Sequence, residues 1–300
     1  MVVVGAGSIG QAIARRVGAG RHVLLTDRRE GDAEATADVF RRAGFEASAA
    51  AVDVTDRRSV EALAERATGA GRVTHLVHAA GMSPAQGSLA TVLRVDLYGC
   101  ALVHEVFGGV VEAGGSGLVV ASQSGHLLPA FTDEEERLLA VTPVDDLMSL
   151  PMLHLDRIHD SVHAYQLAKR GNALRVRAEA VRWARRGARV NSVSPGIIAT
   201  PMSQQLLTGP AGGEFQALID GCPAGRAGTP DEVATVAALL LGPDGAFLTG
   251  SDVLIDGGLT ASAFYGPLQA SRQSSDWRCE PACGPIWTMP PSTSHEAPVT

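Results

Sequence analysis

Short apolar, β-branched runs alternate along this chain with longer stretches of helical period. The runs are Val2–Val4, His22–Thr26, Ala47–Val52, Val73–His78, Gly117–Ser122, Ala188–Ser194 and Ser251–Ile255. They are nearly continuous in apolar character, as strands buried on both faces are. Between them, Ile9–Ala19, Asp32–Ala43, Asp56–Thr68, Leu89–Ala113, Val162–Arg186 and Pro230–Leu241 read as helices. The last opens on Thr229-Pro230-Asp231-Glu232, a capping box with proline at the first helical position. Strand and helix in alternation predict βαβ units, hence one α/β domain on a seven-stranded, doubly wound parallel sheet covering residues 1–266.

Two segments break the rhythm. Residues 126–161 mix acids (Asp133, Glu134, Glu135, Glu136, Asp145, Asp146) with Leu and Met, and read as an inserted helical or loop excursion. Residues 267–300 hold six of the sixteen prolines, much Ser and no hydrophobic period, so an irregular, disordered tail is expected there.

Composition narrows the function classes. The chain is 45% hydrophobic and 19% charged, which suits a globular core and excludes a coiled coil or a disordered polymer. No apolar run reaches the ~18–20 residues of a membrane span. A net charge of −7 argues against a nucleic-acid partner. The N-terminus starts directly on a strand, without a signal-peptide pattern, so a cytoplasmic location is expected. Four cysteines are too few for a disulfide scaffold; Cys100 and Cys222 are expected to be reduced thiols. Cys279-x-x-x-Cys283 with His295 lacks the usual metal-ligand spacing, and histidines 126, 154, 159 and 163 lack a supporting ligand set. No metal is expected.

Gly5-Ala6-Gly7-Ser8-Ile9-Gly10 follows a strand and opens a helix, the context in which this glycine pattern binds a dinucleotide. Gly5 suits a tight turn, Gly7 a close backbone approach to pyrophosphate, and Gly10 close helix packing. Ser8 and Ile9 lie at the helix N-terminus, whose N–H groups would meet the phosphates. Asp27, at the end of the second strand, is placed to accept both ribose hydroxyls and to repel a 2′-phosphate, which favours NAD. Arg28 and Arg29 follow it and leave NADP open. Asp53, beside Val54 at the end of the third strand, is a candidate for the adenine edge; its alternative is a helix cap for the Thr55-Asp56 start.

Tyr165 and Lys169 fall at i and i+4 on a predicted helix and so share a face. A phenol with a pKa near 10 is a poor base at neutral pH, and an adjacent ammonium brings the phenolate closer to working pH. Ser122 ends the preceding strand, and Asn191-Ser192-Val193-Ser194-Pro195-Gly196 follows.

With these motifs in order, the chain resembles the short-chain dehydrogenase/reductase family over roughly residues 1–260. The likeness rests on the glycine motif, Asp53-Val54, His78-Ala79-Ala80-Gly81, Ser122, Tyr165/Lys169, Pro195-Gly196 and Ile255-Asp256-Gly257-Gly258. It implies a single-domain Rossmann fold and a hydride transfer between NAD (NADP possible) and a secondary alcohol or ketone. It implies Tyr165 as acid/base, Lys169 as the group that lowers its pKa and binds the nicotinamide ribose, and Ser122 as the hydrogen-bond partner of the substrate oxygen. Ala79, Ala80 and Gly81 would border the cofactor. Pro195, Gly196 and the segment with Ile198 would line the nicotinamide, and Thr200 would reach its carboxamide. Ser124 competes with Ser122; Gly125, three residues after Ser122, favours the latter.

The chain departs from the family in four places. Its glycine loop is the shorter form. His78 stands where the family has Asn. Asp96 occupies the position of the fourth catalytic residue, an Asn. Forty-three positions separate Ser122 from Tyr165, longer than usual, so that 126–161 would serve as a substrate lid or subunit contact. The altered positions keep open a non-catalytic, nucleotide-binding scaffold as the alternative. Relatives assemble through two long helices, here Leu89–Ala113 and Val162–Arg186, which implies a homodimer or homotetramer.

Overall fold

In a computed structural model, which describes residues 1–210 and 212–269, all seven apolar runs pair into one parallel sheet. The strands are β1 (Val2–Val4), β2 (His22–Asp27), β3 (Glu46–Ala51), β4 (Val73–His78), β5 (Val111–Val120), β6 (Arg189–Pro195) and β7 (Asp252–Ile255), in the order β3-β2-β1-β4-β5-β6-β7. The chain winds outward one way from β1, then returns across to β4 and winds the other way. This leaves a crevice at the carboxyl ends of β1 and β4, the place where α/β sheets bind ligands.

Strand residues alternate between two cores, as the pleat requires. Val3, Leu25, Val77, Leu118 and Val193 pack with α1 (Ser8–Val17), α2 (Glu30–Arg42) and α11 (Pro230–Leu241). Val2, Val4, Leu24, Leu76 and Val190 face the other core, with α3 (Arg57–Gly69), α5 (Cys100–Gly108) and α8 (Ser161–Ala184). The capping box at α11 forms as expected: Thr229 Oγ1 accepts from the Glu232 N–H, and the Glu232 carboxylate accepts from the Thr229 N–H. Cys100 and Cys222 are buried free thiols. Cys279, Cys283 and His295 lie outside the described residues.

The structure corrects several element boundaries. The stretch expected as one helix over Leu89–Ala113 is α4 (Leu89–Val92), a π-helical segment Leu93–Gly99, and α5, which ends at Gly108. The strand β5 already starts at Val111, not Gly117. Val73 pairs with Val111 and His75 with Ser116, so the glycine-rich stretch between bulges out of register, with Gly114 at φ +79°. Helices α9 (Pro201–Thr208), α10 (Gly212–Asp220) and α12 (Leu259–Tyr265), which carry no strong period, were not expected. Leu268, expected in the tail, is buried against Cys222, Leu259 and Ala263.

Residues 126–161 form α6 (Asp133–Val141), α7 (Val144–Leu147) and short 3₁₀ turns. Leu139, Val144, Leu147, Leu150, Leu153 and Ile158 of this segment are buried in the same core as α5 and α8. Arg175, itself buried, donates from Nη1 to the carbonyls of Leu139 (3.1 Å) and Thr142 (2.9 Å), closing the C-terminal end of α6. Arg170 pairs with Glu136. The excursion therefore packs directly on α8.

Three histidines sit in the sheet and its helices without charge. His78 and His104 stack edge to face with centroids 5.8 Å apart, and His104 meets Trp183 at 6.3 Å. Burial pushes His104 down to about 3 and His75 to about 4, and holds His78 well below its ordinary value. Each is neutral in the fold but takes up a proton near pH 6.5 when unfolded. Their contribution is therefore fully present above about pH 6.5 and is lost as pH falls from there toward about 4. Stability in urea should drop over that window. His104→Leu should flatten the slope by up to about 1.4 kcal/mol per pH unit; an unchanged slope would refute the assignment.

Candidate active site

The crevice is built first from backbone. Gly5 leaves β1 at φ +93°, and its N–H and that of Ala6 donate to the Thr26 carbonyl, both at 3.0 Å. A Cβ on Gly5 would lie 2.3 Å from the Ala80 nitrogen, so this glycine lets the β1 and β4 loops touch. Gly10 is packed as closely: a Cβ there would sit 2.3 Å from the Gly5 carbonyl oxygen. Gly7 differs. It is exposed, no atom lies within 4 Å of its Cβ position, and it precedes α1 without a side-chain cap. The first N–H groups of α1, from Ser8 and Ile9 onward, thus open onto an uncrowded surface.

Asp27 is half-buried at the end of β2, where its Oδ1 accepts the Arg29 N–H at 3.4 Å. Arg29 is drawn back onto Asp32, its Nε 2.6 Å from Oδ2, while Arg28 is exposed. Asp53 accepts the N–H (2.9 Å) and hydroxyl (2.7 Å) of Thr55, whereas the cap of α3 is Asp56, which accepts the Arg58 N–H. Val54 turns inward beneath Gly99. Ala79, Ala80 and Gly81 leave β4, with the Ala79 N–H on the Val4 carbonyl at 2.7 Å.

On the other side of the crevice, β5 ends at Val120 and Ser122 caps a short 3₁₀ turn, Gln123–His126. Its Oγ accepts the Ser124 N–H at 3.2 Å, which leaves the hydroxyl hydrogen free to donate elsewhere. Ser124 is only partly buried. Gly125 brings the turn onto α8: a Cβ there would stand 2.6 Å from the Arg170 nitrogen. Tyr165 is half-buried on α8, one turn before the buried Lys169, whose Nζ lies 5.2 Å from the phenol centroid. Lys169 also meets the Asp96 carboxylate, Nζ to Oδ1 3.0 Å. Pro195 and Gly196 close β6, with the Gly196 N–H on the Ile255 carbonyl at 3.0 Å. Ile198 is buried and bridges to Gly228, and Thr200 caps α9 by accepting the Ser203 N–H.

Residues 1–124 match the short chain dehydrogenase profile, and residues 146–260 match the profile described as enoyl-(acyl carrier protein) reductase. A short-chain dehydrogenase/reductase of Alternaria brassicicola, bsc3, is 38% identical over 262 residues, covering 87% of this chain and 95% of the relative. The chain belongs to the short-chain dehydrogenase/reductase family. A galactitol 2-dehydrogenase (L-tagatose-forming) of Cereibacter sphaeroides is 30% identical over 272 residues, 86% of this chain and 93% of its own. The crystal structure of gox2181 superposes with a TM-score of 0.69 at 25% identity, covering 87% and 95% of the two chains. The chain is thus an oxidoreductase by family, and its fold is that of its structural neighbours. The two profile matches leave residues 125–145 between them, a gap that overlaps the first part of the 126–161 excursion.

Several residues around this short-chain dehydrogenase/reductase site escape sequence reasoning. Asn172 Nδ2 donates to the Asp96 carbonyl at 2.9 Å; its place one turn past Lys169 was a usable signal. His126 Nε2 lies 2.8 Å from Asp252 Oδ2, and the same carboxylate accepts from Ser192 (2.6 Å) and Ser194 (2.8 Å). These bonds hold the Asp252 carboxyl below its ordinary range despite burial. Gln123 accepts from Thr260 at 3.2 Å, so the Ser122 turn is tied to both β7 and α12. No motif announces these ties, because their partners are 126 and 137 residues apart in sequence. No described helix is long and apolar enough to span a membrane.

Proposed function

We propose that this protein is an NAD-dependent dehydrogenase interconverting a secondary alcohol and a ketone. The reading is supported above all by the Lys169 ammonium held 5.2 Å from the centroid of the Tyr165 ring. The relatives named for galactitol and D-threitol point to a CH–OH substrate.

The residues present fit a dinucleotide: Gly7 leaves open space before an uncapped helix terminus, and Asp27 offers a carboxylate at the end of β2. Gly5, Ser8, Ile9 and Gly10 would hold the pyrophosphate, Asp27 the adenosine ribose, and Asp53 the adenine. Ala79 to Gly81, Pro195, Gly196 and Thr200 would border the nicotinamide half. When bound, the dinucleotide supplies or accepts the hydride. The chain handles the proton and the orientation. The Ser122 hydroxyl donates to the substrate oxygen, Tyr165 Oη gives its proton to that oxygen in reduction or takes it in oxidation, and Lys169 stabilises the phenolate. A panel of secondary alcohols with NAD⁺, followed by absorbance of the reduced cofactor, tests the activity. No turnover across polyols, hydroxysteroids and simple carbinols would sink it.

Cofactor preference follows from β2. Asp27 would repel a 2′-phosphate, and Arg29, which could counter it, is engaged by Asp32. NADH should bind at least about tenfold tighter than NADPH in a fluorescence titration, the order of one desolvated charge contact. The reverse order would mean that Arg28 and Arg29 outweigh Asp27.

A further inference from the structure

The position where the family carries a neutral Asn holds a carboxylate here, and it does not point to solvent. The Asp96 side chain is fully buried, and that of Lys169 is 6% exposed, with 3.0 Å between Nζ and Oδ1. The Met82 N–H lies 3.3 Å from both carboxylate oxygens, and Asn172 grips the Asp96 backbone. Asp96 sits within the π-helical segment Leu93–Gly99, a rare geometry that occurs frequently at functional sites. Gly81 leaves room for the pair: a Cβ there would come within 2.6 Å of Oδ1 and 3.3 Å of Nζ. Two glycine-and-helix adjustments thus converge on one buried ion pair beside the phenol.

We infer that Asp96 is a positioning residue that sets the pH range in which Tyr165 works, by taking a share of the Lys169 charge. The inference rests on Tyr165 as the acid/base. An ammonium facing the phenol alone would favour the phenolate strongly. A carboxylate 3.0 Å from that ammonium acts on the phenol with the opposite sign and cancels part of the benefit. The other titratable and charged neighbours of the pair do not replace it: His78 and His104 are neutral, burial pushes the Cys100 thiol up to about 12, and Arg175 is a second cation. The phenol is therefore kept protonated to higher pH than it would be with a neutral residue at 96. At neutral pH such a site is poised to donate a proton, in ketone reduction, and alcohol oxidation gains as pH rises.

The test titrates the phenol directly. The chain has three tyrosines, so the ultraviolet tyrosinate spectrum of the full chain minus that of Tyr165→Phe isolates Tyr165. Asp96→Asn should lower its midpoint by about one pH unit or more, and should move the acid limb of kcat/KM for alcohol oxidation down by the same amount. If Asp96→Asn fails to fold, Asp96→Ser carries the same neutral change. A midpoint that stays or rises overturns the inference. The spectroscopic arm does not depend on turnover: if Tyr165→Phe retains activity, the acid/base reading fails, while a downward shift would still establish that Asp96 governs the phenol.

Discussion

Tyr165→Phe is expected to lower kcat by at least about 10³-fold while NADH binds within a few-fold of the parent. General acid–base groups contribute about 10²–10⁴-fold, and this one is asked to move the only proton of the reaction. The substitution is conservative for the fold. The ring stays half-buried against the same core, and the Lys169–Asp96 pair, at 3.0 Å, does not depend on the hydroxyl. What disappears is the oxygen that exchanges the proton. Steady-state oxidation of a secondary alcohol by NAD⁺ reads the loss, and a fluorescence titration with NADH reads binding. Activity within tenfold of the parent would remove Tyr165 from its role and favour the non-catalytic alternative for this fold.

The dinucleotide half was readable because its constraints are local. A positive φ at Gly5, the uncapped start of α1 and a carboxylate closing β2 are each written in the few residues that form that turn, helix start or strand end. Tyr165 and Lys169 were readable for the same reason, since i and i+4 share a helix face. The Lys169–Asp96 pair was only half readable. Asp96 stood out as a departure, but its burial depends on a π-helical segment that no apolar period encodes. The early start of β5 was hidden because Gly114 and Gly115 interrupt the strand pattern, which a register bulge then accommodates. The excursion at 126–161 was legible as an excursion, and of its acids Asp133, Glu134, Asp145 and Asp146 are exposed, whereas Glu136 turns toward Arg170 of α8. Its burial on α8 was invisible, because Arg175 reads as one more charge on a long helix until its partners, the carbonyls of Leu139 and Thr142, are known. The tie of His126 to Asp252 likewise needs the sheet to be assembled first.

Gly5→Ala and Gly7→Ala should fail in opposite ways, although one motif contains both residues. At Gly5 the added methyl would lie 2.3 Å from the Ala80 nitrogen and 2.6 Å from the Ala79 carbonyl carbon, at φ +93°. Both obstacles are backbone, so relief requires β1 and β4 to part at the crevice. A strained φ costs of order 1–3 kcal/mol and overpacking a similar amount, which together predict a loss of about 2–6 kcal/mol in urea unfolding. At Gly7 nothing lies within 4 Å of the new methyl, and the backbone there is extended. That variant should unfold like the parent, yet bind NADH about tenfold or more weakly, because the methyl occupies the surface where a phosphate would meet the α1 N–H groups. Equal stability for Gly5→Ala would deny the close approach of the two loops. Unchanged NADH affinity for Gly7→Ala would place the phosphates somewhere other than the start of α1.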